Sequence, residues 1–62
     1  MTMDELQKLV HDLRTPLTLV EGFSDLLVRR GDELPSSERD EYLQRIAAAA
    51  REMRELLDAT RR

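Results

Sequence analysis

The chain has 62 residues, a net charge of −3 and no cysteine, which excludes disulfides and thiolate metal sites. A domain this short buries only about 60% of its unfolded surface, so its fold is marginal alone and oligomerisation is the remaining means of stabilisation. The absence of a basic arm, an aromatic content of 3% and the lack of a long apolar run argue against nucleic-acid binding, membrane contact and a signal peptide.

The first predicted helix covers residues 3–30. Thr2 and Glu5 have the spacing of a capping box at its start. Apolar residues then recur with the alternating spacing of a coiled-coil or bundle seam. The seam positions, with one polar interruption at the serine, are Leu6, Val10, Leu13, Leu17, Val20, Ser24 and Leu27. A flanking line at Leu9, Pro16 and Phe23 widens the apolar face, as a four-helix bundle requires. We expect Gly31 to end the helix as a left-handed cap.

A turn is predicted at residues 32–35, because Pro35 blocks continuation of the helix and Ser36 or Ser37 can cap the next one. The second predicted helix covers residues 37–61. Its seam is Leu43, Ile46, Ala50, Met53 and Leu57, and its flanking line is Tyr42, Ala49 and Leu56. The chain ends at Arg61 and Arg62 without a capping signal, which suggests truncation inside a longer helix.

Two helices of similar length joined by a short turn predict an antiparallel hairpin. One hairpin leaves a broad apolar face open. We therefore expect an all-α fold in which residues 1–62 form one domain, and two copies pair by two-fold symmetry as a homodimeric four-helix bundle.

His11 is the only histidine, and it falls outside the seam. Thr15, Thr18 and Gly22 follow it at helical spacing on the same face, so an exposed imidazole is expected above a strip of small side chains. Leu19 and Leu26 border this strip and are not seam residues. They are candidates for exposed apolar groups that contact a partner.

Pro16 stands inside the first predicted helix. It has no amide hydrogen and crowds the carbonyl of Asp12, so the missing hydrogen bond falls beside His11. A carboxylate at Asp12 can hold one ring N–H of His11 and leave the other nitrogen to attack. Adjacent helical side chains do not normally face each other. The pairing therefore requires a distortion at the proline, or Asp12 acts on an incoming group or pairs with Lys8.

The stretch from His11 to Leu17 reads His-Asp-Leu-Arg-Thr-Pro-Leu. It resembles the H-box of HisKA-type sensor histidine kinases of two-component systems, whose pattern is His-acidic-x-x-Thr-Pro-Leu. The similarity continues through residues 23–27, the turn and residues 41–46. Nearly the whole chain therefore resembles the dimerisation and histidine phosphotransfer (DHp) domain of these kinases.

This resemblance implies roles for individual residues. His11 is the phosphoacceptor, Asp12 the general base, and Thr15 the residue that positions water in a phosphatase reaction. Pro16 is a hinge that permits helix bending. The residues that match the docking surface for a response regulator are Thr18, Leu19, Gly22, Phe23 and Leu26.

The resemblance also implies partners and a setting. The partners are a second copy of the chain, the kinase's own ATP-binding catalytic domain and the receiver domain of a response regulator. The 62 residues contain no asparagine-rich box and no glycine-rich nucleotide loop. We therefore expect no cofactor or metal in this segment, ATP and magnesium bound by the separate catalytic domain, and no enzymatic activity alone. The resemblance implies a cytoplasmic location for this segment. Kinases of this family can be anchored in the inner membrane by other segments of the parent protein.

Two other functions are compatible with the same heptad pattern. A purely structural dimerisation hairpin explains every position except His11, Thr15 and Pro16. A phosphotransfer relay protein differs only in whether a nucleotide-binding domain follows the segment.

Overall fold

The computed structural model describes residues 1–60, which form two antiparallel α-helices and a connecting turn. Helix α1 spans Met3–Arg30, a 3₁₀ turn spans Gly31–Glu33, and helix α2 spans Ser36–Asp58. The predicted all-α helical hairpin is confirmed. Neither helix is long and apolar enough, within the described residues, to cross a membrane.

The N-terminus of α1 is capped as predicted by Thr2. Its hydroxyl accepts from the backbone N–H of Glu5 at 3.1 Å, and its carbonyl accepts from the N–H of Leu6 at 3.0 Å. Two acidic residues in the first turn and two basic residues in the last complement the helix dipole. These signals agree with one another, and both predicted ends of α1 are confirmed.

The turn corrects the prediction for Gly31. Its backbone is right-handed, with φ −52° and ψ −40°, and its N–H donates to the carbonyl of Leu27. The chain tightens into a 3₁₀ turn closed by the N–H of Leu34 and the carbonyl of Gly31 at 3.4 Å. The prediction of a left-handed cap was wrong because the backbone keeps right-handed helical angles into the 3₁₀ turn, so Gly31 needs no positive φ.

The start of α2 also differs from the prediction. Pro35 is the capping residue, and its carbonyl accepts from the N–H groups of Glu38 at 3.0 Å and Arg39 at 3.1 Å. Ser36 is already the first helical residue, and no side-chain hydrogen bond caps the helix. The predicted serine cap was wrong because the extended backbone of Pro35, at φ −56° and ψ 148°, already has the geometry of a cap.

Helix α2 ends at Asp58, earlier than the predicted boundary at residue 61. Residues 59 and 60 form a turn in which the hydroxyl of Thr60 donates to the carbonyl of Leu57 at 2.7 Å, and the N–H of Thr60 donates to the same carbonyl at 3.2 Å. This carbonyl is thereby satisfied by an i,i+3 contact instead of the next helical turn. The predicted uncapped end at residues 61–62 lies outside the described residues.

The inner face of the hairpin is built around two small or compact side chains. Pro16 of α1 is fully buried and Ala49 of α2 is 4% exposed. Towards the turn, Phe23 and Tyr42 pack with ring centroids 5.0 Å apart and planes tilted by 36°. The predicted flanking lines of both helices therefore form the contact between them, since their members are all buried or half-buried.

A stripe of apolar residues, most of them at predicted seam positions, remains uncovered on the other face. This apolar stripe consists of Met3, Leu6, Val10, Leu17, Leu43 and Leu57, which are between 44% and 71% exposed. The molecule measures 46 × 17 × 11 Å, and its smallest dimension is about the diameter of one helix. The hairpin is thus a single layer, and nothing within it can cover the stripe.

Candidate functional site

His11 lies on the solvent-facing side of α1, one residue beyond the apolar stripe. Its side chain is 85% exposed. The helical frame fixes the backbone of His11, while the ring is open to approach. The prediction that the imidazole falls outside the seam is confirmed.

Asp12 contacts His11 despite being its immediate neighbour along the helix. The distance from His11 Nδ1 to Asp12 Oδ1 is 3.3 Å, and the Asp12 side chain is 35% exposed. A carboxylate only accepts, so this contact places the ring proton on Nδ1 and the lone pair on Nε2. At 3.3 Å the contact is slightly longer than the usual N–H···O distance of about 2.7–3.2 Å, and such contacts often tighten when a substrate binds. The arrangement leaves the His11 ring exposed to solvent, with the Asp12 carboxylate at one of its nitrogens.

Two surface grooves meet at this pair. The His11 groove has a volume of about 360 Å³ and is lined by Met3, Leu6, Gln7, Val10, His11 and Arg14. The Asp12 groove has a volume of about 310 Å³, lies between the start of α1 and the end of α2, and is lined by Met1, Glu5, Lys8, Leu9, Asp12, Ala59 and Thr60. His11 and Asp12 thus line different grooves.

The Lys8–Asp12 pair considered as an alternative is not formed. Among residues 1–60, the carboxylates with a basic side-chain nitrogen within 4 Å are Asp12 with the His11 ring, Asp25 with Arg29 and Glu41 with Arg45. The carboxylate of Asp12 is therefore directed to the imidazole.

Pro16 occupies the most buried position beside this site. Helix α1 is continuous through Pro16. A proline has no N–H to donate to the carbonyl four residues back, which here belongs to Asp12. Its ring packs inside the hairpin. Thr15, which precedes it, is exposed one helical turn beyond His11.

The predicted partner-facing residues converge on one depression. Thr18, Leu19, Gly22, Phe23 and Leu26 line a shallow groove of about 220 Å³, here called the α1 groove. Leu19 and Leu26 are 44% and 39% exposed, as expected, whereas Phe23 is half-buried because it packs on Tyr42. Gly22 lies in the groove, and nothing lies within 4 Å of a Cβ placed on it. The groove is therefore open to a convex partner.

Sequence analysis missed the α2 side of this surface. A neighbouring groove of about 360 Å³ shares Leu19 and Phe23 and is lined on α2 by Arg45, Ala48, Ala49, Arg51, Glu52 and Glu55. The Arg45 guanidinium lies 5.9 Å from the centre of the Phe23 ring and 3.2 Å from the Glu41 carboxylate. The i,i+4 spacing of Glu41 and Arg45 was a signal for their pairing, but only the hairpin shows that Arg45 reaches Phe23.

No group of three or more histidine, aspartate or glutamate side chains in residues 1–60 is arranged to hold a metal ion. The exposed His11 ring contacts the Asp12 carboxylate at 3.3 Å.

The chain was compared with known protein families, curated proteins and solved structures. The model of the His Kinase A (phospho-acceptor) domain matches residues 3–62. No curated protein and no solved structure matches the chain significantly.

Proposed function

The chain belongs to the His Kinase A (phospho-acceptor) domain family, and from that premise we propose that His11 is the residue that accepts the phosphoryl group. The observation that carries the proposal is the 3.3 Å contact between His11 Nδ1 and Asp12 Oδ1 beside a ring that is 85% exposed. With Nδ1 held by the carboxylate, Nε2 is the ring nitrogen left free in this proposal to act as the attacking atom.

The proposed reaction transfers the γ-phosphoryl group of ATP to Nε2. The lone pair of Nε2 forms a bond to phosphorus, the bond from phosphorus to the β,γ-bridging oxygen breaks, and ADP leaves. The ring gains positive charge, and Asp12 stabilises this charge through the Nδ1 proton and then accepts the proton. ATP and magnesium are held by the separate catalytic domain, so this chain supplies the nucleophile and its orientation.

We place the next partner, the receiver domain of a response regulator, on the α1 groove. The groove centres on Gly22, about 16 Å along the helix from His11 at 1.5 Å per residue. Its exposed leucines supply apolar contact area, and the small residues Thr18 and Gly22 allow close approach. A receiver domain docked there brings an aspartate to the phosphoryl group on His11, and that carboxylate displaces the imidazole.

Thr15 is proposed to act in the phosphatase reaction, in which the phosphorylated receiver domain is dephosphorylated. It is exposed and one turn from His11, so its hydroxyl can hold a water beside a phosphorylated aspartate of the docked receiver. That water attacks phosphorus and releases inorganic phosphate. Pro16 is proposed as the hinge for these states, because its ring is anchored in the hairpin while the turn at Asp12 lacks one backbone bond.

The apolar stripe supports a homodimeric four-helix bundle. A compact monomer of 7.2 kDa has about 4,100 Å² of accessible surface, whereas this chain exposes 5265 Å². The exposed area above that of a compact monomer is similar in size to the area that one subunit buries in a specific protein–protein interface. Since the stripe runs along both helices, a second hairpin can cover it by two-fold symmetry.

The test is phosphorylation of the 62-residue chain by an ATP-binding domain of a histidine kinase and γ-labelled ATP. We expect one phosphate per chain that is stable in base and labile in acid, and that maps to His11 by mass spectrometry. Absence of such a phosphate, or its location elsewhere, contradicts the proposal and favours the purely structural hairpin.

Two glycine substitutions separate docking from stability. Gly22→Ala and Gly31→Ala each place a methyl group where nothing lies within 4 Å, and both glycines have right-handed backbones. Each variant is expected to raise the free energy of unfolding by about 0.5–1 kcal/mol. Gly22→Ala alone is expected to slow phosphotransfer to the receiver domain about tenfold, because its methyl group overpacks the docked interface. Equal transfer rates in the two variants, measured with purified phosphorylated chain, contradict docking at the α1 groove.

A further inference from the structure

A phosphorylated His11 needs a compensating positive charge. The phosphoryl group carries close to two negative charges near neutral pH, and Asp12, which adds another, is already in contact with the ring. The cations nearest to His11 along α1 are Lys8, three residues before it, and Arg14, three residues after it. Their sequence separations are equal, so geometry must distinguish them.

The geometry favours Arg14. In an α-helix the side chains lean towards the N-terminus, so a residue covers the turn that precedes it. Arg14 therefore leans over His11, whereas Lys8 leans away from it. The grooves agree, since Arg14 lines the His11 groove and Lys8 lines the Asp12 groove.

Arg14 also has no competing ion pair. It is exposed, and no carboxylate in residues 1–60 lies within 4 Å of its guanidinium. Among the residues that line the His11 groove, Arg14 and His11 are the ones that can carry charge, and Gln7 supplies a neutral amide one turn before His11. A guanidinium presents paired N–H donors that match phosphate oxygens.

We propose that Arg14 binds the phosphoryl group on Nε2 of His11 and stabilises its fully ionised form. This inference rests on the proposed function, because it requires His11 to be the phosphoacceptor. It assigns to Arg14 a direct contact with the transferred group.

The test uses phosphoramidate, a small phosphoryl donor that requires no kinase domain. Nε2 attacks phosphorus, the phosphorus–nitrogen bond of the donor breaks, and ammonia leaves; the surplus ring proton passes to solvent. The wild-type chain, R14Q, K8Q and H11Q are treated in parallel and followed by ³¹P NMR as pH is varied. The proton affinity of the phosphoryl group is read from the pH dependence of its chemical shift.

We expect R14Q to raise the proton affinity of the phosphoryl group about two- to fourfold, as loss of one exposed charge at close range predicts. K8Q should change it by less than about 1.5-fold, R14K should restore part of the effect, and high salt should reduce it. Equal proton affinities in R14Q and K8Q overturn the role of Arg14 while leaving His11 as the acceptor. Phosphate uptake by H11Q equal to wild type, or none by wild type, overturns the proposed function itself.

Discussion

Asp12→Asn is expected to slow phosphorylation of His11 by ATP about 100- to 1,000-fold, the usual contribution of a positioned acid or base. The carboxylate contacts Nδ1 at 3.3 Å and can do two things that an amide cannot. It fixes the proton on Nδ1 without ambiguity, and its negative charge stabilises the ring as positive charge develops. The measurement is the initial rate of base-stable label incorporation from γ-labelled ATP, with an ATP-binding domain of a histidine kinase in excess.

The matched control is Asp25→Asn, which removes the same charge from the same helix. Asp25 pairs with Arg29 at 3.2 Å and both side chains are largely exposed, so this change should leave the rate within about twofold and stability within about 1 kcal/mol. His11→Gln marks the baseline, at which no base-stable label is expected. A rate for Asp12→Asn equal to that of Asp25→Asn contradicts the assignment of Asp12 as the base.

The Asp12 contact is also where sequence reasoning could not decide. Helical periodicity places neighbours about 100° apart, which argued against a contact between His11 and Asp12. The structure nevertheless brings His11 Nδ1 and Asp12 Oδ1 to 3.3 Å, in a helix that is continuous through Pro16. Helical periodicity gives the direction of each Cα–Cβ bond, but it does not give the positions of the side-chain atoms beyond Cβ.

The fold was predictable to the extent that several signals agreed. Heptad spacing, the Thr2 cap and the charged ends all indicated α1, and its bounds match. The failures lie at the turn, where residue preference was the sole guide, and at the end of α2, which stops at Asp58. Gly31 permits a left-handed cap without requiring one, and Ser36 is a good capping residue next to a proline whose carbonyl already starts α2.

The surface of the site was predicted where it lies on one helix and missed where two helices meet. Helical spacing collects four residues of the α1 groove, Thr18, Leu19, Gly22 and Leu26, whereas Phe23 was added to them only by the family resemblance. The contact of Arg45 with Phe23 depends on the register between α1 and α2, which the two heptad patterns leave free. The half-buried state of Phe23 follows from the same register.

A charge placed in the apolar stripe is expected to disrupt the dimer. Leu17 lies in the middle of α1 and is 45% exposed in the single hairpin. Leu17→Asp is expected to raise the dimer dissociation constant at least about 1,000-fold, because a symmetric bundle buries the new carboxylate twice without a partner. Sedimentation equilibrium at micromolar concentration should then show monomer. Helical circular dichroism should show a lower thermal midpoint than wild type, since folding and pairing are coupled.

Val28→Asp is the control that makes this result specific to the stripe. Val28 lies on the same helix and is 85% exposed, off the seam, so the same added charge should leave the dimer and its thermal midpoint nearly unchanged. The wild-type midpoint should also fall on hundredfold dilution, whereas a folded monomer has a midpoint independent of concentration. If Leu17→Asp remains dimeric, the stripe is not the dimer interface. The bundle then has to form through the other face, where it would cover the α1 groove and exclude the receiver domain.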